Sequence, residues 1–294
     1  MKDIAYAAPR TLDDAVMLLH QHRSHAAILA GGTDLIVAMR ANTLRPDIVV
    51  DVKRIPELLR IEHCSDSVSI GAAVSCRNLY RDVDLMRDYP ILGDATRLIG
   101  SVQIQGRASI GGNLCNAAPS GDAIPGLFVL AAQCEVRGPR GNRTVRVEDF
   151  CTGPRKSVLG EDELLVRLRI PKPADRSGAS FVRFIPRNEM DIAIANAAAA
   201  VILTDSGDSI LSARIAIGSV APTVLLAKAA GEYLAGKPTT VAHIDAAAQI
   251  SADCARPIDD MRGTVEQRRI LTRVLVQRAL QNAIVRAKGQ TANE

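Results

Sequence analysis

The chain has 294 residues, of which 47% are hydrophobic and 23% charged, a composition typical of a globular protein with one large or two medium domains. Its formal charge is +4, and its 36 basic and 32 acidic residues form no block of like charge. Only 3% of the residues are aromatic, so few rings are available to stack on bases. We therefore predict that the protein has no nucleic-acid partner.

Neither a leader nor a membrane span is predicted. The first residues contain no apolar core of signal-peptide length, and the most hydrophobic run, 192–203, is too short to cross a bilayer. The six cysteines are scattered without a C-x-x-C pair, so we expect buried thiols rather than a metal or iron–sulfur site on this chain. These features predict a cytoplasmic protein.

The first fifty residues predict a small α/β unit. An amphipathic helix over 11–22 begins with Thr11 as its cap, and the apolar run 26–30 predicts a strand. A Gly-Gly turn and a helix follow, and 47–52 predicts a second buried strand. Alternation of helix and strand favours parallel pairing.

From about residue 68, the apolar residues recur at every second position. The runs 68–75 and 163–170 place apolar residues on one face with period two, which predicts a half-buried antiparallel sheet. A polar, Pro-containing stretch at 171–180 is interpreted as a linker. We therefore predict one domain over 1–175 and another over 178–294.

The last third predicts an α+β domain. Strands are expected at 181–185, 192–203 and 210–220, and helices at 222–236 and 241–255. Thr264 and Gln267 form a capping-box signal at the start of a final long helix. We detect no internal repeat.

Two Gly-Gly steps are the main candidate binding features. Gly31-Gly32 and Gly111-Gly112 are both interpreted as turns, in which the missing Cβ atoms let backbone N–H groups converge on an anion such as pyrophosphate. Neither fits the G-x-G-x-x-G or G-x-x-x-x-G-K-[ST] spacing, so we predict neither a Rossmann site nor a P-loop. For Asp34, which follows the first pair, a helix cap remains an alternative to a ligand contact.

Several motifs in chain order carry a resemblance to a known family. LAGGTDL at 29–35, ASIGGN at 108–113, P-x-x-D at 119–122 and FIPRNEMDIAIANAAA at 184–199 are similar to segments of the FAD-binding subunit of molybdenum hydroxylases. That family includes xanthine dehydrogenase and aerobic carbon monoxide dehydrogenase. The resemblance implies an α+β fold: a two-lobed FAD-binding domain, with a small α/β lobe and a larger, mostly antiparallel lobe, followed by an α+β C-terminal domain with an antiparallel sheet and helices.

The resemblance also implies which residues contact FAD. Arg183 stands where relatives commonly have a Lys near the flavin, and Ile192 where some have a Tyr. The implied cofactor-binding residues are Leu29, Ala30, Gly31, Gly32, Thr33, Asp34, Leu35, Ile99, Ser109, Ile110, Gly111, Gly112, Asn113, Asn116, Asp122, Arg183, Asp191 and Ile192. No catalytic acid or base and no metal ligand are predicted on this chain.

The implied activity is electron transfer within an oxidoreductase complex. A large partner subunit would carry the molybdenum cofactor and a small one two [2Fe–2S] clusters, and FAD on this medium subunit would deliver electrons to NAD, oxygen or a quinone. The assembly implied is a heterotrimer, often doubled. Two alternatives stay open: a self-contained FAD oxidoreductase of the same superfamily, and a nucleotide-binding scaffold without catalysis.

Overall fold

The computed structural model describes residues 3–290. Its first lobe is a three-stranded parallel sheet of order β1-β3-β2, with the first helix packed on it. Thr11 caps that helix as predicted, because its side chain accepts a hydrogen bond from Asp14 N. The elements of this lobe are β1 (Ala5–Ala7), α1 (Leu12–His22), β2 (Ala26–Leu29), α2 (Leu35–Arg40) and β3 (Ile48–Asp51).

The second lobe is built on a five-stranded antiparallel sheet of order β4-β5-β10-β6-β7, accompanied by six short helices and a small hairpin. Its strands are β4 (Ile61–His63), β5 (Ser67–Gly71), β6 (Gln133–Gly138), β7 (Gly141–Arg146), β8 (Cys151–Gly153), β9 (Lys156–Ser157) and β10 (Leu164–Pro171). Its helices are α3 (Cys76–Leu79), α4 (Val83–Asp88), α5 (Pro90–Thr96), α6 (Val102–Gln105), α7 (Ile110–Asn116) and α8 (Ala123–Val129).

The prediction of a half-buried strand near residue 68 is wrong in one respect. Ser67 and Ser69 are buried together with the apolar residues of β5, and the strand ends at Gly71. The reason lies on β10, where Arg169 extends over the polar face and donates from Nε to Ser67 Oγ at 3.0 Å. The antiparallel pairing itself is as predicted.

The C-terminal part is a four-stranded antiparallel sheet of order β11-β12-β13-β14. Two helices cover one face, with a third packed on both of them, and the other face packs on α5 and α8, so that Phe181 and Ala198 belong to the core of the second lobe. The elements are β11 (Ser177–Phe184), β12 (Ala195–Leu203), β13 (Ile210–Gly218), β14 (Leu225–Leu226), α9 (Lys228–Leu234), α10 (Val241–Cys254) and α11 (Val265–Ala287).

Three predicted boundaries in this region are corrected. The linker is only 172–176, because β10 extends to Pro171 and β11 already begins at Ser177. The strand predicted over 192–203 begins at Ala195. The helix predicted over 222–236 is shortened to α9, because Leu225 and Leu226 pair with β13 as a fourth strand.

Candidate cofactor site

Two glycine-containing segments meet at one end of the small parallel sheet. Gly31 and Gly32 follow β2 after one intervening residue, and Gly32 has φ of +80°, which glycine adopts without strain. A Cβ on Gly31 would lie 2.1 Å from the backbone oxygen of Arg107, whose Nε donates to the Gly31 oxygen at 3.4 Å. The structure therefore places loop 29–35 against the segment that leads into Ser109.

The second Gly-Gly pair lies in a helix, so our prediction of a turn there is wrong. Gly111 and Gly112 occupy the first turn of α7, and Ser109 caps this helix by accepting from Gly112 N at 3.0 Å. A Cβ on Gly111 would lie 2.4 Å from the backbone oxygen of Ala72. The close approach that requires glycine at 111 is thus made by the protein's own backbone.

The other predicted cofactor-binding residues between Leu29 and Asn116 fall into different environments. Asp34 stands at the N-cap position of α2, yet its exposed side chain makes no capping hydrogen bond, so capping does not explain this residue. Ile110 is fully buried, which leaves its backbone rather than its side chain for a ligand. The half-buried ones are Leu29, Ala30, Thr33, Leu35, Ile99, Asn113 and Asn116.

Asn113 also has a structural partner. Its Oδ1 accepts a hydrogen bond from Ala123 N at 3.2 Å, which joins α7 to the start of α8. The turn between the two helices contains Gly121, where a Cβ would lie 2.9 Å from the same Asn113 oxygen. Asn113 therefore fixes the position of the turn that carries Asp122.

Asp122 lies in a buried polar cluster between the second lobe and the C-terminal sheet. Its Oδ2 forms an ion pair with Arg183 Nη1, and both side chains are almost inaccessible to solvent. Burial raises the pKa of Asp122 to about 6, against the opposing effects of Arg183 and Asn196. This carboxyl group therefore titrates much closer to neutrality than an ordinary aspartate.

The cluster contains several buried polar atoms that have no hydrogen-bond partner among the described residues. These atoms are Asp122 Oδ1, Arg183 Nε, Asn196 Nδ2 and Oδ1, and Ser219 Oγ. Asn196 is 0% exposed and pairs across the sheet with Arg183 on one side and Gly218 on the other. Because buried polar groups are nearly always paired in folded proteins, such a concentration indicates a site completed by a ligand or by ordered water.

Asp191 and Ile192 lie on the loop that precedes β12. Asp191 Oδ1 accepts from the backbone N of Ile192 at 2.8 Å and from Arg262 Nη1 at 3.0 Å, while Oδ2 lies 3.6 Å from Arg187 Nε. The Ile192 N–H and the neighbouring arginines lower the pKa of Asp191. Ile192 itself is 48% exposed. The structure therefore uses Asp191 to hold the loop and leaves Ile192 at its surface.

Sequence reasoning missed Asn196, Gly218 and Ser219. A signal for Asn196 was present, since it is the one amide within the apolar run 192–203. Gly218 carries no such signal, because its role depends on the neighbouring strand: a Cβ there would lie 2.2 Å from Asn196 Oδ1. Ser219 donates its backbone N–H to Pro119 O at 2.8 Å and so holds the 119–122 turn against the sheet.

Among the described residues 3–290, no group of three His, Cys, Asp or Glu side chains is arranged to hold a metal ion. No described helix combines the length and the apolar character needed to span a membrane.

Comparisons with known proteins identify the family. Residues 2–173 match the family described as FAD binding domain in molybdopterin dehydrogenase, and residues 180–283 match the carbon monoxide dehydrogenase flavoprotein C-terminal domain. The carbon monoxide dehydrogenase medium chain of Hydrogenophaga pseudoflava is 32% identical over 96% of this chain and 97% of that relative. The chain belongs to the FAD-binding subunits of molybdenum hydroxylases. It is thus an oxidoreductase flavoprotein subunit, and the resemblance seen in its motifs is confirmed.

Other members of this flavoprotein family extend the match. A xanthine dehydrogenase FAD-binding subunit from Escherichia coli is 31% identical over 97% of this chain and 98% of the relative. The solved structure of reconstituted carbon monoxide dehydrogenase from Oligotropha carboxidovorans superimposes with a TM-score of 0.93 at 31% identity, covering 97% of this chain and 98% of that one. The predicted α+β fold class is therefore confirmed.

The residues present in this FAD-binding subunit fit the cofactor chemically. Loop 29–35 and the segment that leads into α7 lie side by side and offer backbone N–H groups, which suits a pyrophosphate. The orphaned atoms of Asp122, Arg183, Asn196 and Ser219 offer donors and acceptors, which suit the hydroxyl groups and ring edge of a flavin nucleotide. The site thus combines the two kinds of contact that FAD requires.

Proposed function

We propose that this subunit binds one FAD non-covalently. The binding site would lie between loop 29–35, the start of α7 and the buried cluster of Asp122, Arg183 and Asn196. The two segments that meet through Gly31 and Arg107 would hold the pyrophosphate. Asp122 Oδ1 would accept a hydrogen bond from a hydroxyl group of the ribityl chain or ribose. The orphaned atoms of the cluster are the observation that carries this proposal, because a bound nucleotide would satisfy them.

The wider role we propose is electron transfer inside a complex. FAD, when bound, supplies the chemistry that exchanges single electrons with iron–sulfur clusters and electron pairs with an acceptor. A small partner subunit would carry two [2Fe–2S] clusters, and a large one the molybdenum cofactor at which substrate is oxidised. NAD, oxygen or a quinone would be the acceptor, and the assembly would be a heterotrimer or its dimer.

This chain's own residues would bind and orient the cofactor and exclude water from it. The C-terminal sheet closes over the 119–122 turn through the Ser219–Pro119 hydrogen bond, which keeps Asp122 and Arg183 away from solvent. A cytoplasmic location is part of the proposal, and the six free cysteines of the chain are compatible with a reducing compartment.

The first test is cofactor content. The purified chain, saturated with FAD and desalted, should retain one flavin that acid precipitation releases into the supernatant. Asp122→Ala should weaken FAD binding, whereas Asp205→Ala, which removes an exposed carboxylate from the β12–β13 turn, should not. Equal FAD retention in the two variants would contradict the assignment of Asp122.

The second test separates the subunit from a self-contained enzyme. Metal analysis of the isolated chain should find neither iron nor molybdenum, and oxidation of a heterocycle, an aldehyde or carbon monoxide should require co-expressed small and large subunits. Stoichiometric iron, or full substrate turnover by the lone chain, would instead favour the self-contained oxidoreductase. A purified chain that cannot bind FAD at all would favour the scaffold alternative.

A further inference from the structure

A cavity lies at the opposite end of the C-terminal sheet from the buried polar cluster. Its volume is about 410 Å³, within the roughly 300–1,000 Å³ of small-molecule pockets. Ser177, which lines this cavity, and Arg183 of the cluster lie at opposite ends of β11, and six residues of strand correspond to about 20 Å. The cavity is therefore separate from the proposed FAD site.

The walls of this cavity come from both sides of the domain junction and are mainly apolar. The second lobe contributes Tyr89, Ile91 and Leu130, and the C-terminal sheet contributes Ala179 and Ala200. Tyr89 is anchored, because its hydroxyl donates to Pro171 O at 3.1 Å. The cavity thus presents fixed apolar surfaces to the body of a ligand.

Two arginines hold the walls in place, and their charges are already used. Arg286 donates to both carboxylate oxygens of Asp94, at 2.6 and 2.9 Å, and to Ala179 O at 2.6 Å. Arg214 donates to Phe128 O at 2.7 Å and forms an ion pair with Glu148. The cavity therefore does not depend on a ligand for its shape.

Lys172, an exposed residue of the linker 172–176, is another cation that lines the cavity. Among the described residues, no carboxylate lies within salt-bridge distance of its ammonium group, whereas Arg87, which also lines the cavity, pairs with Asp84 and Asp88. Four basic residues and one acidic residue line the cavity. The three arginines are neutralised by their carboxylate partners, so the apolar walls and the one ammonium group without a salt bridge select for an anion with an apolar body.

We propose that this cavity is a binding site for a small organic acid with an aromatic-sized apolar body. The acid group lies at Lys172, and the body packs between Tyr89 and Leu130 on one side and Ala179 and Ala200 on the other. Because the ligand touches both domains, it stabilises their contact without touching the FAD site.

The test uses the full-length chain saturated with FAD and titrated calorimetrically with 2-naphthoate and with the neutral 2-naphthamide. Naphthoate should bind one molecule per chain, and naphthamide about tenfold more weakly. Lys172→Gln should weaken naphthoate binding about tenfold and leave naphthamide unchanged. Lys228→Gln, at an exposed position outside the cavity lining, is the matched control and should change neither affinity.

A third variant, Ala200→Phe, fills the cavity and should abolish binding of both compounds, with retained FAD absorbance as the check on folding. Naphthoate binding of wild-type strength in Ala200→Phe or in Lys172→Gln would overturn the proposal. Equal affinities for the acid and the amide, or no naphthoate binding up to its solubility limit, would also overturn it. FAD content is measured separately in each sample, so these outcomes do not depend on the proposed FAD site.

Discussion

The two ends of the C-terminal sheet are both joined to the second lobe by an arginine and a carboxylate, but the two pairs differ in what they leave unsatisfied. At one end Arg286 and Asp94 are each 21% exposed and form a bidentate pair. Asp94 also accepts from the backbone N of Phe181 at 3.2 Å. At the other end Arg183 and Asp122 are almost fully buried, and each retains an atom without a described partner.

The difference separates structural from ligand-binding polar groups. A pair whose hydrogen bonds are complete holds two elements together, and adding a ligand would gain little. A buried pair with orphaned atoms stabilises the free protein poorly, and it gains those missing hydrogen bonds when a ligand arrives. The following predictions measure stability and cofactor affinity separately at the two ends.

The largest expected effect is a pH dependence that arises from Asp122. Its pKa is raised from 3.8 to about 6 by folding, so between these values the folded state binds more protons than the unfolded state. Stability contributed by this group is therefore full below pH 3.8 and lost as the pH rises to about 6, on the order of 3 kcal/mol. Denaturant unfolding of the FAD-free chain should show this loss as a difference between wild type and Asp122→Asn. A constant difference over that pH range would contradict it.

At the other end, Asp94→Ala should lower the free energy of unfolding by about 2–3 kcal/mol, because it leaves Arg286 without its partner. FAD affinity should stay unchanged in the folded variant. Asp84→Ala removes an exposed carboxylate from Arg87 and should leave the free energy of unfolding unchanged within the precision of the measurement, because solvent screens this pair. Loss of FAD affinity in Asp94→Ala without loss of stability would reverse our assignment of the two ends.

Asp122→Asn should weaken FAD binding by about 1–3 kcal/mol, measured by quenching of flavin fluorescence at pH 7.5. The substitution keeps the shape of the side chain and removes its charge beside Arg183. An affinity equal to that of wild type would show that the charge of Asp122 does not contribute to FAD binding.

The smallest effect is expected for Asn196→Ala. The Asn196 amide has two atoms without a hydrogen-bond partner but also favours the charged form of Asp122, so its removal should change the stability of the FAD-free chain by less than about 1 kcal/mol in either direction. FAD affinity should nevertheless fall by about 1 kcal/mol. A large loss of stability would mean that Asn196 has a structural role instead.

Local patterns predicted most of the secondary structure. The parallel sheet, the antiparallel pairing of β5 with β10 and the Thr264 cap, which accepts from Gln267 N at 3.1 Å, all follow from periodicity and capping residues. The errors arose where contacts with a neighbouring element determine the burial or the secondary structure of a segment. Arg169 buries Ser67, and pairing of Leu225 with β13 overrides the helical pattern of 222–236.

The candidate site could be predicted where its residues form a contiguous motif. It could not be predicted where its residues come from distant strands. Gly31 and Ser109 could be selected from their own segments. The contact of Asn196 with Gly218 depends on the register of β12 against β13, which the order of residues does not specify. Gly111 was selected because of its motif, but the missing Cβ at this position makes room for the backbone of Ala72.

A close contact at Gly178 holds the last helix against the first strand of the C-terminal sheet. A Cβ on Gly178 would lie 2.2 Å from Ala283 O, so β11 and α11 touch backbone to backbone. Because α11 cannot slide over β11 without breaking this contact, the helix and the sheet form one rigid unit. A Cβ at position 178 would also lie 3.0 Å from the Cβ of Arg286, so Gly178 sets the position from which Arg286 reaches Asp94.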